Sequence, residues 1–198
     1  DNGDGIPVNK SEAAHYYKLA ADKGDADAMN NYAFMLKNGT GVTADKNEAA
    51  RYYKMAADRG DADAMNNYAL MLKSGDGIST NSNEAARYFK MAADNGNQDA
   101  MSNYTNMLDT GDGGSSSKED KAHYYKIAAD NGDMKAMYNY GKILKNGDGV
   151  STNKSEAARY LKMAADKGHS DAMYDYAVML NSGDGIPVDK SESVRYYK

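Results

Sequence analysis

Apolar positions along this chain recur with the spacing of short helices, and they recur in blocks. Over residues 48–60, Ala49, Tyr53, Ala56 and Ala57 fall on one side of a helix at 100° per residue, with Ala50 and Tyr52 at its edges. Arg51, Lys54 and Asp58 fall on the other side. The block returns at 12–24, 84–96, 120–132 and 156–168 and starts again at Glu192, each copy 36 residues after the last. A second stripe lies between the blocks. In residues 25–38, Ala28, Met29, Tyr32, Met35 and Leu36 share a face, with Ala33 beside it, while Asp27, Asn30, Phe34, Lys37 and Asn38 occupy the opposite arc. Its copies begin at Asp61, Asn97, Asp133 and His169. Helix, tight turn, helix, longer loop, repeated, predicts an all-α fold: an α-solenoid of antiparallel helix pairs. No pair can bury its apolar face alone, so stability must come from neighbours. The expected organisation is one array over 1–198. It comprises a second half-repeat at 1–24, full repeats at 25–60, 61–96, 97–132 and 133–168, and a truncated repeat at 169–198. Opening on Asp1 and ending at Lys198 inside a helical pattern, the chain reads as a piece of a longer protein.

The punctuation agrees with this frame. Asn9, Asp45, Asn81, Asn153 and Asp189 each precede a Glu by three residues, the grammar of a capping box, and Ser117 with Asp120 is a weaker version. Paired glycines such as Gly75 and Gly77 suit the left-handed turn just past a helix end. One residue further on stands an apolar anchor for the loop: Ile6, Val42, Ile78, Val150, Ile186. The third full loop breaks that column, with Gly114 followed by Ser115, Ser116 and Ser117, and Thr105 replaces a small alanine in the same repeat. The weakest local stability is expected at 111–118.

Residues 27–42 followed by 48–60 resemble the Sel-one-like repeat (SLR), a relative of the tetratricopeptide repeat, and the likeness runs through the whole chain. Tyr32-Ala33 stands where that family usually has Leu-Gly, and only Tyr140-Gly141 keeps the glycine. The aromatic pair is Tyr52-Tyr53 instead of Trp-Tyr, and Tyr160-Leu161 loses half of it. The resemblance implies a right-handed superhelix whose concave surface is lined by the helix beginning at Asp25, and a role in assembling complexes. Relatives of this type include adaptors, and some protist kinases carry such arrays beside the kinase domain. One cysteine-rich branch is linked to penicillin binding; this chain has no Cys, so that branch's disulfides are impossible here.

Composition narrows the function further. A net charge of −5 argues against nucleic acid as a general ligand, and no run approaches a membrane span. A cytoplasmic location is favoured. No cofactor is expected. The three histidines, His15, His123 and His169, read as two surface substitutions and a helix cap, and no nucleophile has an identifiable base. The sequence around Gly147–Ser155 lacks the glycine that a phosphate loop needs before its Lys, and Asp1–Gly5 lacks the ligand spacing of a calcium loop. Asn9, Asn38, Asn103 and Asn153 each begin an Asn-x-Ser/Thr triplet, read here as coincidence in an Asn- and Ser-rich chain.

Information about a partner is expected where copies differ while the core columns stay constant. On the exposed arc of the second helix, one column reads Phe34, Leu70, Asn106, Lys142, Val178, and another Asn30, Asn66, Ser102, Tyr138, Tyr174. A third reads Lys37, Lys73, Asp109, Lys145, Asn181. Phe34, Leu70 and Val178 are apolar where water is expected, and Lys135, Tyr138, Lys142, Lys145 and Tyr174 form a basic, aromatic stretch in an acidic protein. That combination suits an acidic peptide or protein with a hydrophobic anchor, against the alternative that long side chains pack along the facing wall. The column Leu19, Met55, Met91, Ile127, Met163 reads as inter-repeat packing, and Asn31, Asn67, Asn103, Asn139, Asp175 as a polar ladder bonded to the neighbouring backbone. The leading expectation is a non-enzymatic interaction scaffold. A docking array attached to an enzyme such as a protein kinase, or a self-assembling spacer, are the alternatives.

Overall fold

The computed structural model describes residues 9–114 and 116–197, so the loop at Asp1–Gly5 and the anchor Ile6 lie outside the described residues. Among them are eleven helices and no strand: α1 (Lys10–Asp22), α2 (Ala26–Asn38), α3 (Lys46–Ala57), α4 (Ala62–Ser74), α5 (Ser82–Asp94), α6 (Gln98–Thr110), α7 (Lys118–Asp130), α8 (Met134–Asn146), α9 (Lys154–Asp166), α10 (Ser170–Ser182) and α11 (Lys190–Tyr196). They fall into two units, Asp1–Gly114 with α1–α6 and Ser115–Lys198 with α7–α11.

Helix starts follow the expected caps. Asp45 accepts the Glu48 N–H at 2.9 Å, and Asp61 the Ala64 N–H at 2.7 Å. Ser117, the weaker pattern, accepts the Asp120 N–H at 3.0 Å and caps α7 as firmly as the others. The glutamates reach back differently from a standard capping box: Asn81 donates its side-chain amide to Glu84 at 3.1 Å, and Asn153 does so to Glu156 at 3.3 Å. Where the cap is asparagine the acid meets its side chain, and Glu48 and Glu156 receive Arg51 and Arg159.

Both residues of the tyrosine pair are used, in different ways. In α3 the whole set Ala49, Ala50, Tyr52, Tyr53, Ala56 and Ala57 is buried. Tyr53 points into the core, where burial pushes its phenol up to about 12. Tyr52 instead meets Tyr32 of the preceding helix edge-on, ring centroids 5.0 Å apart. The contact recurs as Tyr68–Tyr88 in the same unit, and as Tyr140–Tyr160 and Tyr176–Tyr196 in the other. Such edge-to-face pairs add about 0.5–1.5 kcal/mol each beyond their burial.

The polar face of the odd-numbered helices joins one repeat to the next, which the sequence pattern did not reveal. Lys54 pairs with Asp58 at 2.7 Å, and the Tyr88 hydroxyl donates to the same Asp58 at 3.3 Å. Lys162, Asp166 and Tyr196 repeat the arrangement at 2.8 and 2.6 Å, and Lys18, Asp22 and Tyr52 at 2.7 and 3.4 Å. The hydrogen bond from Lys18 holds the Asp22 carboxyl below the ordinary carboxylate range, and those from Lys162 and Tyr196 do the same for Asp166.

These shifts set a pH window. A carboxyl depressed in the folded chain contributes stability above its unfolded value, roughly pH 4, and loses it as pH falls through the folded value. The partners Lys18 and Lys162 are raised, and the Tyr53 phenol is raised by burial, so their contributions are lost above roughly pH 10, where the unfolded chain gives up protons first. Thermal melts by circular dichroism should show a plateau from about pH 5 to 9 with a fall on each side. Because the carboxylates are exposed, added salt should flatten the acid limb. A midpoint unchanged down to pH 2 would contradict the pairing.

Candidate functional site

The even-numbered helices bury one face and expose the columns in which the copies differ. In the first unit Phe34 is 56% exposed, Leu70 is half-buried, and Lys73 and Asn106 are exposed, with Lys37 half-buried in the last turn of α2. In the second unit Lys135 and Lys142 are exposed, Tyr174 is 60% exposed, and Lys145 and Val178 are half-buried. Phe34 is therefore exposed apolar surface, and Tyr174, though mostly exposed, meets Tyr197 edge-on with ring centroids 5.8 Å apart.

The asparagine columns are committed to the framework. Asn67 donates its amide to Asn30 of the preceding repeat at 3.0 Å, and Asn103 donates to Asn66 at 3.1 Å. The ladder expected to bond neighbouring backbone bonds neighbouring side chains at these two rungs, and Asn66 is itself buried. The two columns that sequence separated, one varied and one constant, hold each other. Of the four Asn-x-Ser/Thr asparagines, Asn9 and Asn153 cap helices, Asn38 donates to the Phe34 carbonyl at 2.8 Å, and Asn103 is the rung just described.

Tyr138 is also held. His169 of α10's N-cap stacks on it at 4.5 Å with 26° between the planes, and the Lys142 ammonium lies 5.2 Å from the ring centroid. Burial, then the charges of Asp175 and Asp171, push the Tyr138 phenol up. His169 accepts the Ala172 N–H through Nδ1 at 3.4 Å, which makes it the cap that sequence expected and, beyond that, a platform for Tyr138. His15 and His123 sit exposed, edge-on to Tyr16 and Tyr124. The column of Leu19, Met55, Met91, Ile127 and Met163 lies at the margin of the core: Leu19 and Met91 are exposed and the other three half-buried, with Arg51 and Arg159 reaching the Met55 and Met163 sulfurs.

One concavity stands out. In the second unit a cleft of about 380 Å³ opens between α7 and α8, lined among others by Lys118, Lys121, Asn139, Lys142, Ile143 and Asp148. Lys142 was singled out by its varied column. Lys118 and Lys121 lie on α7, outside the varied columns of the second helix. The available signal was the departure of Lys121 from an alanine column. No group of three or more His, Cys, Asp or Glu side chains is placed to hold a metal among the described residues, nor is any helix there long and apolar enough to cross a membrane.

Helix pairs with constant buried columns and varied exposed ones define a repeat protein of the α-solenoid interaction class. All six successive segments of the chain, residues 1–25, 26–61, 62–97, 99–133, 135–169 and 170–198, match the Sel1 repeat. The chain belongs to the Sel1 repeat family, whose modules are non-catalytic protein-interaction scaffolds. Among solved structures it is similar to c5321, a protective antigen present in uropathogenic Escherichia coli strains that displays an SLR fold: TM-score 0.78 and 25% identity, covering 99% of this chain and 42% of that one. It is also similar to a Sel1 repeat protein from Oxalobacter formigenes, with TM-score 0.71 and 26% identity over 94% of this chain and 79% of that one. The chain thus spans less than half the length of the first of these. No curated protein matches the sequence.

Proposed function

We propose that the chain is an adaptor that binds a protein or peptide on the face of the even-numbered helices, the face the family resemblance makes concave. The observation that carries this reading is Phe34, 56% exposed in a helix whose other aromatic, Tyr32, is buried. In the second unit Tyr174 of α10, one turn before the position equivalent to Phe34, is 60% exposed. Exposed aromatic surface of this kind supplies large contact area at low cost in side-chain entropy. The lysines of α8, Lys135 and Lys142 exposed and Lys145 half-buried, make that helix locally basic in a protein of net charge −5, which favours an acidic partner with a hydrophobic anchor.

Affinity capture with the native chain and with a Phe34→Ala/Tyr174→Ala variant tests it. Both residues are exposed, so circular dichroism of the variant should match the native chain within error while captured partners are lost. Equal recovery by both proteins would sink the site.

A further inference from the structure

We infer that the cleft between α7 and α8 is a carboxylate pocket, which takes an acidic side chain of the bound partner. The inference rests on the peptide-binding reading above and adds to it a place and a chemistry. Lys121 is its centre. In the aligned position of the other full copies stand Ala49, Ala85 and Ala157, each with none of its surface exposed. A lysine in that column is half-buried and lines the cleft instead of filling the core. A lysine so placed can pack its stem against the wall and keep its ammonium in water, available to an anionic group of a partner.

The charges around the cleft do not cancel. Lys118 pairs with Asp148 at 2.8 Å, but that pair belongs to the framework: Lys46 and Asp76 form it at 2.6 Å in the first unit, as do Lys154 and Asp184 further along the second. Lys121 and Lys142 are additional to it, peculiar to this copy. Neither forms an ion pair among the described residues; Lys142 lies over the Tyr138 ring. Two surplus lysines therefore line a cleft of about 380 Å³, near the small end of ligand pockets (~300–1,000 Å³). That volume admits one or two side chains and no folded surface. Ile143 supplies an apolar wall beside the cations, which fits the methylene stem of an acidic residue.

Fluorescence anisotropy with a labelled tetraglutamate peptide, its tetraglutamine counterpart and a peptide carrying two phosphoserines tests the assignment on the whole chain. Tetraglutamate should bind and tetraglutamine should not. Lys121→Ala restores the residue the other copies carry, so folding is retained, and it should weaken tetraglutamate binding roughly tenfold, the order expected for one charge-assisted contact. Lys167→Ala, the same loss of charge at an exposed position at the end of α9, should change it by less than about twofold. Equal binding of tetraglutamate by the native chain and Lys121→Ala overturns the pocket and leaves the scaffold reading standing. No binding of tetraglutamate by the native chain overturns it too, and tighter binding of the phosphoserine peptide would reassign the cleft to phosphate. Failure of the scaffold reading shows separately, as unchanged capture by the Phe34/Tyr174 variant.

Discussion

Gly77→Ala is expected to destabilise the first unit by about 3–5 kcal/mol, lowering the melting midpoint on the order of 10 °C. Two effects add. Gly77 has φ +76°, a left-handed conformation that costs an L-residue roughly 1–2 kcal/mol. A Cβ built there would lie 2.5 Å from both the carbonyl carbon and the oxygen of Lys46, backbone atoms at the start of α3 that cannot move aside cheaply. The loop after α4 is thus seated on the first turn of the preceding repeat's helix, and the Lys46–Asp76 ion pair closes over the seat. Gly60 separates the two effects. Its φ is +93°, equally left-handed, but nothing lies within 4 Å of a Cβ placed there. Gly60→Ala should therefore cost only the conformational part, about 1–2 kcal/mol. Urea denaturation of the two variants side by side checks the difference; equal losses would show that the close approach at Gly77 carries no energy.

The contrast between those two glycines marks where sequence stops being informative. Pattern alone placed both past a helix end and gave the same reason for each. What distinguishes them is a contact some thirty residues away, between the Asp-Gly loop and a helix start in the preceding copy, and no local rule encodes it. The same holds for Asp58. Its place opposite Tyr53 marked it as solvent-facing, which it is, yet it also receives the hydroxyl of Tyr88 from the next repeat. Helix positions, caps and buried columns were legible because each depends on neighbours within a turn or two. The partners in links between copies were not, because they are distant in sequence: the asparagine ladder was legible as a column, but not that its rungs end on Asn30 and Asn66.

Gly141, which keeps the family's glycine where the other copies have a larger residue, and Leu161, which departs from the aromatic pair, meet in space. A Cβ on Gly141 would lie 2.9 Å from the Cγ of Leu161, so the missing methyl of one accommodates the branched side chain of the other. Elsewhere Ala33 and Ala69 occupy the first column, and Tyr53 and Phe89 the second, all buried. The candidate site shows the same limit. Phe34 and Tyr174 were found because exposure at a varied column is a local property. Asn66 was grouped with them by the same variation but is buried and receives a hydrogen bond from Asn103. Lys121 is a single exception in a column of alanines, and such an exception carries a signal only beside the cleft it lines.

The two phenylalanines of the chain give the sharpest test of that division between framework and surface. Phe89 in α5 has none of its surface exposed and sits in the column of Tyr53. Truncating it removes the large side chain from a helix whose other buried residues include the small Ala85, Ala86, Ala92 and Ala93, which cannot fill the loss. Phe89→Ala should therefore cost about 3–5 kcal/mol, as large-to-alanine changes do in rigid cores. In a repeat array stability is shared between neighbouring units, so the loss should appear first as faster amide exchange in α4 and α5, with α1 and α2 protected longer. Phe34→Ala removes the same atoms from an exposed site and should change stability by no more than about 0.5 kcal/mol. Denaturation and hydrogen exchange on the two variants decide the matter: comparable losses would mean that Phe34 packs as framework, and its column would then lose its standing as the surface a partner reads.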